Sequence, residues 1–411
     1  MTELSPPRKG ENEAPPSEGA GTSLGVGDLE LAGVLHGRRA FVGPEQVTID
    51  LTNRCNNNCI GCWTRSPLLR ELEPSPRWIA QEIPYDSVIH LLNDLHDLGT
   101  RRVRFTGGGE PLMHQGLDDI LRACKQRRLI TCITTNGSLI TEDRARLYAT
   151  LPLDELAVSL WAATPETYSR THPNKTGRTF EKVERNLTLL CKTKKVRPRV
   201  TLSNVLLAMN YMEAEQMYDF ARRVGVDAVY YTLLDPVEDR TEGLMVGPQH
   251  VDELDAQLDR IERRNRSLPP RQQLELENWE GFRRRVGSVR SQQAGEYDKS
   301  VIDEIPCYVG WIFCRILANG DVAPCCRGSD LPLGNINTDG FKAVWHGKRY
   351  TEFRDKALNL SKSDPYFAPI NCHKTCDNLM HNEVVHQRLA ELPEERRRVI
   401  EAFLAEQESK P

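Results

Sequence analysis

The run Val47-Thr48-Ile49-Asp50-Leu51, followed closely by Cys55-Asn56-Asn57-Asn58-Cys59-Ile60-Gly61-Cys62, decides how the rest of the chain is read. The first five residues are mostly apolar or β-branched, a strand pattern. Three cysteines spaced C-x3-C-x2-C follow where that strand ends. Three thiolates suit a four-iron cubane with one iron left open for a substrate or cofactor, and short cysteine spacings hold such clusters. Zinc is the competing reading. Structural zinc asks for four ligands, commonly in C-x2–4-C pairs, and this run supplies three.

Outward from that motif, short β-rich runs alternate with helical patterns. The strand candidates are Gln46–Leu51, Arg102–Thr106, Ile130–Thr135, Glu155–Leu160, Arg199–Leu206 and Ala228–Leu233. Between the first two, Val88, Leu91, Leu92, Leu95 and Leu98 share one helical face, with Gly99 just past the end. Between the fourth and fifth, Phe180, Val183, Leu187 and Leu190 do the same. Strand–helix alternation predicts an α/β fold with a parallel sheet and helices outside. Six units suit a partial (β/α)6 TIM-like barrel. Barrel chemistry sits at the C-terminal strand ends, and Cys55 follows Leu51 by four residues.

The second candidate strand closes on Phe105-Thr106-Gly107-Gly108-Gly109-Glu110-Pro111. Glycines there let backbone approach a ligand, although such a loop alone reads better as a turn needing positive φ. Together with the cysteines it resembles the radical SAM superfamily. The resemblance implies that Cys55, Cys59 and Cys62 hold a [4Fe–4S] cluster whose open iron binds S-adenosylmethionine (SAM). Gly108, Gly109 and Glu110 match the family's GGE motif, whose backbone meets the SAM amino group. The family often has an aromatic residue before the third cysteine, packing on the adenine. Here that position is Gly61, and Trp63 follows Cys62 as the cofactor-binding candidate. Strand three ends Thr134-Thr135-Asn136-Gly137 and strand four ends Val158-Ser159-Leu160-Trp161. Asn-Gly is ordinary turn chemistry, and Ser159 reads equally as a core hydroxyl. The resemblance carries Asn136 and Ser159 over as SAM contacts. Strand five offers Asn204. Strand six offers Tyr230, Tyr231 and, at its exit, Asp235, a catalytic candidate.

A second cysteine group begins at Cys307. Twelve residues separate it from Gly320, four more precede Cys325, and Cys372-x3-Cys376 lies far downstream. The intervening Asn319-Gly320-Asp321-Val322-Ala323-Pro324 and Leu333-Gly334-Asn335-Ile336 resemble the SPASM/twitch extension of radical SAM enzymes, which holds auxiliary [4Fe–4S] clusters. A full SPASM extension needs a further C-x2-C-x5-C run, which this chain lacks. The resemblance therefore implies a one-cluster twitch form on Cys307, Cys325, Cys372 and Cys376. A four-cysteine zinc knuckle is the plain alternative. Cys314 and Cys326 are left over, as alternative ligands, hydrogen-atom donors or buried bystanders. Cys124, Cys132 and Cys191 read as core.

Composition sets the outer limits. The chain has 411 residues, a net charge of −4 and 27% charged residues, with no basic excess to suggest nucleic acid. Twelve clustered cysteines, without a secretory signal, read as metal ligands in a reducing compartment. The N-terminus has no apolar signal region, and no stretch approaches the roughly 18 apolar residues of a membrane span. The cytoplasm is the expected location. Residues 1–40 are expected to be a disordered tail, 41–240 the barrel, 241–300 a charged, partly helical connector, 301–385 the auxiliary domain and 386–411 a C-terminal helix.

The resemblance implies reductive cleavage of SAM, with electrons from a partner such as flavodoxin or ferredoxin. Only about 45 residues precede the first strand, where many peptide modifiers carry a leader-binding domain. That favours a small polar substrate (sugar, aminocyclitol or nucleoside) in a biosynthetic pathway such as that of an antibiotic. Oxidation of an alcohol to a ketone is the favoured outcome. Epimerisation, dehydration, peptide maturation and tRNA modification are the rivals.

Overall fold

The computed structural model describes residues 24–151, 153–290 and 295–409. All six expected strands form, each within one residue of its expected bounds: β1 (Gln46–Asp50), β2 (Arg102–Thr106), β3 (Ile130–Thr135), β4 (Glu155–Ser159), β5 (Arg199–Leu206) and β6 (Ala228–Leu233). Three more join them: β7 (Glu275–Glu277), β8 (Phe313–Ile316) and β9 (Val322–Ala323). The sheet order is β7-β6-β5-β4-β3-β2-β1-β8-β9. Every pairing is parallel except β8 with β9.

Side chains alternate across this sheet because successive Cβ atoms point to opposite faces. Register sets Gln46 beside Arg102, Thr48 beside Arg104 and Asp50 beside Thr106. The intervening Val47, Ile49, Val103 and Phe105 belong to the apolar core with Val88, Leu91, Leu92 and Leu95. Those four are the buried stripe of the helix Tyr85–Asp97, as the spacing predicts. Leu92 is fully buried, so Leu92→Ala should cost about 3 kcal/mol. On the polar face, Arg102 Nη1 donates to Glu155 Oε1 at 2.5 Å and Arg104 Nη2 to Oε2 at 3.5 Å.

Three expected boundaries need correction. The expected disordered tail reaches too far along the chain. Residues 26–36 form the helix Val26–His36, which buries Leu31, Ala32 and Val34 and is tied to the C-terminus by Arg388–Glu30 and Arg396–Asp28 ion pairs. Residues 1–23 lie outside the described part. The segment 241–300 does more than connect: it supplies β7, which extends the sheet, and the helices Val251–Arg266 and Trp279–Ser288. Its charged composition hid a strand of three residues. The single C-terminal helix is two, Leu379–Ala390 and Glu394–Glu408, separated at Pro393, which lacks an N–H and caps the second. Residues 410–411 are not described.

The largest departure is β8. It belongs to the cysteine-rich extension, yet it pairs in parallel with β1, from Gln46↔Phe313 to Ile49↔Ile316. The extension therefore shares the sheet that carries the Cys55 loop.

Candidate functional site

The β1 exit, the β2 loop and the ends of β3 and β4 surround a cavity of about 270 Å³. Cys55, Cys59, Cys62, Trp63, Gly108, Gly109, Glu110, Asn136 and Ser159 all line it. Every residue assigned above to the first cluster or to SAM is thus brought to one place. The extension contributes Arg315, Leu317, Asn319 and Ser329 to the same wall, which sequence spacing did not reveal.

The loops lock together through their backbones. Glu110 N donates to Arg54 O at 2.8 Å. A Cβ on Gly109 would collide with that carbonyl oxygen and with the backbone carbon of Asn53. The glycine is needed first to seat the cysteine loop against the β2 loop, and only through that to shape a ligand site. Gly107, at φ +154°, adopts backbone suited to glycine. Glu110 is 2% exposed and its carboxylate accepts from Leu112 N (3.0 Å), Thr135 Oγ1 (2.6 Å) and Asn136 N (2.8 Å). Burial raises its pKa and these three donors oppose the rise. The side chain binds the β2 loop to the end of β3. Asn136 in turn donates to Asn56 Oδ1 at 3.0 Å, and Asn56 donates to Ser138 Oγ at 2.8 Å. Ser159 Oγ accepts from Trp161 Nε1 at 2.7 Å.

Trp161 is the residue that sequence reasoning passed over. It sits at φ +60°, a left-handed conformation unusual for a bulky side chain. Asn204 Oδ1 accepts its N–H at 3.2 Å and Asn210 donates to its carbonyl at 2.9 Å. A Cβ at Gly61 would lie 2.7 Å from Leu234 Cδ1 and 3.7 Å from Trp161 Cζ3. An aromatic residue at position 61, where the family pattern often has one, would have to displace the Leu234 side chain.

The three thiols of the first loop are half-buried. Asn57 N points to Cys55 Sγ at 3.4 Å, and Thr64 N to Cys62 Sγ at 3.5 Å. Burial pushes Cys55 up to about 11, and it drives Cys59 well above the ordinary thiol range, reinforced by Cys62 and Cys55. Three thiolates crowded together without a cation repel one another. A bound iron cluster reverses that balance, since a coordinating thiol is deprotonated by its metal. The donor set fits.

Cys307, Cys325, Cys372 and Cys376 meet around a second, smaller cavity of about 30 Å³, walled by Val309, Phe353, Phe367 and Ile370. Burial and then Cys307 push Cys325 up to about 12, and burial, Cys307 and Cys325 together raise Cys372. Cys376 is held by the connector. Asp298, fully buried, accepts Cys376 N at 3.0 Å and receives Arg285 Nε and Nη2 at 3.0 and 2.6 Å. Arg285 also donates to Cys376 O at 3.3 Å. Among the described residues no group of three or more His, Cys, Asp or Glu is arranged to hold a single metal ion. A zinc knuckle needs ligands converging at about 2.0–2.3 Å, whereas a cubane spreads its thiolates over separate irons.

Between the two cavities lies a polar chamber of about 30 Å³ lined by Trp63, Trp161, Thr232, Asp235, Arg285, Tyr297, Thr375 and Asp377, among others. Asp235 forms an ion pair with Arg327 and lines this chamber. Burial raises Asp235 to about 6, with Arg327 lowering it and Asp377 raising it. Cys314 departs from the expected candidates. It is fully buried beside Tyr350 and Arg354, on the β8 face opposite Arg315, and lines neither cysteine cavity. Strand alternation turns it outward, so its place as a catalytic candidate is withdrawn. Cys326 is 6% exposed, and its carbonyl accepts Arg315 Nη1 at 2.7 Å. Arg315 also grips Asp50 at 2.6–3.1 Å, linking the strand before the first cysteine loop to the second cysteine site.

Sequence comparison agrees with this geometry. The Radical SAM superfamily matches residues 49–221 and the SPASM iron–sulfur cluster-binding domain matches 307–377, together more than half of the chain. The chain belongs to the radical SAM superfamily and carries a SPASM-type domain. Such domains use SAM, a SAM-binding [4Fe–4S] cluster and auxiliary iron–sulfur ligation. A GTP 3',8-cyclase of Limosilactobacillus fermentum is 34% identical over 30% of this chain and 36% of its own length. The chain therefore spans about a third of that relative. The AdoMet-dependent heme synthase of Methanosarcina barkeri is 24% identical over 76% of this chain and 85% of its own. In fold, the chain resembles Streptococcus suis SuiB bound to S-adenosylmethionine (TM-score 0.58, 17% identity, 85% of this chain and 73% of that one). It also resembles anSMEcpe with bound AdoMet and a peptide (TM-score 0.57, 15% identity, 81% and 89%). Among the described residues no helix is long and apolar enough to cross a membrane.

Proposed function

We propose that this enzyme abstracts a hydrogen atom from a small polar substrate of the sugar, aminocyclitol or nucleoside class and oxidises an alcohol carbon to a ketone. One observation carries the reading: Thr375 and Asp377 line both the polar chamber and the four-cysteine cavity. A substrate in the main cavity that reached one polar group into the chamber would lie one layer of side chains from the second site. At about 30 Å³ the chamber has room for a single hydroxyl or amine group rather than a whole ring, and its mixed lining suits such a group. The relatives' names point to small molecules in the cyclase and heme synthase, and a peptide appears in the anSMEcpe structure, so they support both substrate classes.

Cys55, Cys59 and Cys62 would hold the first cluster, and Cys307, Cys325, Cys372 and Cys376 the second. When bound, the first cluster supplies the electron that cleaves SAM to methionine and a 5'-deoxyadenosyl radical. Gly108, Gly109, Asn136 and Ser159 would line the SAM site, with Glu110 holding two of its loops together. Orienting the substrate carbon and keeping water from it would be the protein's share of the chemistry. Oxidation removes a hydrogen atom from carbon, a proton from the hydroxyl and one electron, and a cluster held by Cys307, Cys325, Cys372 and Cys376 would supply the acceptor for that electron. Asp235 and Arg327 would orient the substrate. The cytoplasm and a flavodoxin- or ferredoxin-type donor complete the proposal.

The test is 5'-deoxyadenosine formation by anaerobically reconstituted protein against panels of aminocyclitols, sugars, nucleosides and peptides. A small polyol should stimulate it and yield a product two mass units lighter. Stimulation by peptides alone would sink the proposal.

A further inference from the structure

Trp63 stands directly after Cys62 and lines both the main cavity and the polar chamber. Position 61 is glycine, so Trp63 is the indole next to the third cysteine. Its position is not set by the barrel alone. Trp63 Nε1 donates to Asp235 O at 2.7 Å, at the exit of β6. Its ring is covered by the Arg327 guanidinium, whose carbon is 5.3 Å from the ring centroid. Arg327 comes from the C-terminal domain, two residues after Cys325, and lines the four-cysteine cavity. It is held by the Asp235 carboxylate and by Ile370 O, to which its Nε donates at 3.4 Å. The side chain is 13% exposed. A planar guanidinium can lie against an indole while keeping its in-plane donors engaged, which an ammonium cannot do.

We infer that the C-terminal domain completes the SAM cavity through Arg327, which fixes the Trp63 indole as the cavity's aromatic wall. Arg327 is a positioning residue: it acts on SAM through Trp63. The inference rests on the proposed SAM site and adds a dependence of that site on the second domain. The alternative is that Arg327 only balances charge at the second cysteine site.

A double-mutant cycle separates the two. SAM affinity is measured by equilibrium dialysis on reconstituted wild type, Arg327→Met, Trp63→Leu and the double variant, with iron counted in each. Each single change should weaken SAM binding about fivefold at unchanged iron. The double variant should be no worse than Trp63→Leu alone. Arg327→Lys keeps the charge and loses the flat face, so it should bind SAM nearly as weakly as Arg327→Met. It also serves should Arg327→Met shed iron. Wild-type affinity in Arg327→Lys, or multiplying effects in the double variant, would overturn the inference while leaving the SAM site intact. Iron-loaded wild type that binds no SAM would overturn the SAM site and the inference with it.

Discussion

The two cysteine sites are built by opposite strategies. The first gathers three cysteines from eight consecutive residues, Cys55 to Cys62, on one loop. Neighbouring loops hold it by backbone contacts, such as Glu110 N to Arg54 O and Ile60 N to Thr171 O at 2.9 Å. The second gathers four cysteines spread from Cys307 to Cys376, with a buried ion pair, Arg285–Asp298, from a third segment behind Cys376. A local site depends on loop shape. A dispersed site depends on the packing of the whole C-terminal half.

Cysteine changes should break the comparison most visibly. Reconstituted protein should hold about eight irons, from two four-iron clusters. Cys59→Ala should remove about half and abolish 5'-deoxyadenosine formation. Cys376→Ala should also remove about half, yet keep SAM cleavage while blocking the oxidised product. Full product from Cys376→Ala, with its second cluster shown to be gone, would end the electron-acceptor role. Gly109→Val comes next. Its side chain would push into the Arg54 carbonyl, so the first site should lose SAM affinity by at least tenfold and the second should keep its iron. Unchanged affinity would show that this backbone contact does not shape the site.

Arg285→Met attacks the dispersed site from outside its ligands. Removing one partner of a buried pair should cost about 3–5 kcal/mol and loosen Cys376, so iron falls at the second site alone. Equal iron loss at both sites would show that the sites are not separable. The smallest effect is expected from acid. Burial by itself would raise Glu155, but Arg102 and Arg104 hold it at about 2, against an ordinary 4.5. A depressed folded pKa stabilises above the unfolded value. That contribution is complete above about pH 4.5 and is lost as pH falls towards 2. Urea midpoints of Glu155→Gln should therefore show a flatter acid limb than wild type. An unchanged limb would place the acid sensitivity elsewhere.

The same contrast between local and dispersed sites decides which features are legible in the amino-acid sequence. Cys55–Cys62 and Gly107–Glu110 announce themselves because their residues are adjacent in the chain and each sits at a strand exit. The six barrel strands are legible because each is a short β-rich run set between helical patterns. Trp161 is not, since a left-handed backbone and its Asn204 and Asn210 partners leave no local pattern. β7 and β9 are too short to register. Arg285 and Asp298 look like solvated charges in a polar stretch, and only packing shows them buried. Cys314 misleads for the converse reason: its sequence neighbourhood is that of the ligands, but strand alternation turns it away.

The pairing of β8 with β1 has a consequence for how the protein is made. Gln46–Asp50 emerges early from the ribosome, but one edge of that strand has no partner until Phe313–Ile316 follows. At about 5–20 residues per second, the wait is on the order of ten to fifty seconds. Through that interval a strand built of buried residues presents an open template to other chains. A fragment ending near residue 240 would keep that edge open permanently, so expressing the barrel alone should give aggregates. Until its own C-terminal half arrives to close that edge, the nascent chain is exposed to pairing with other chains.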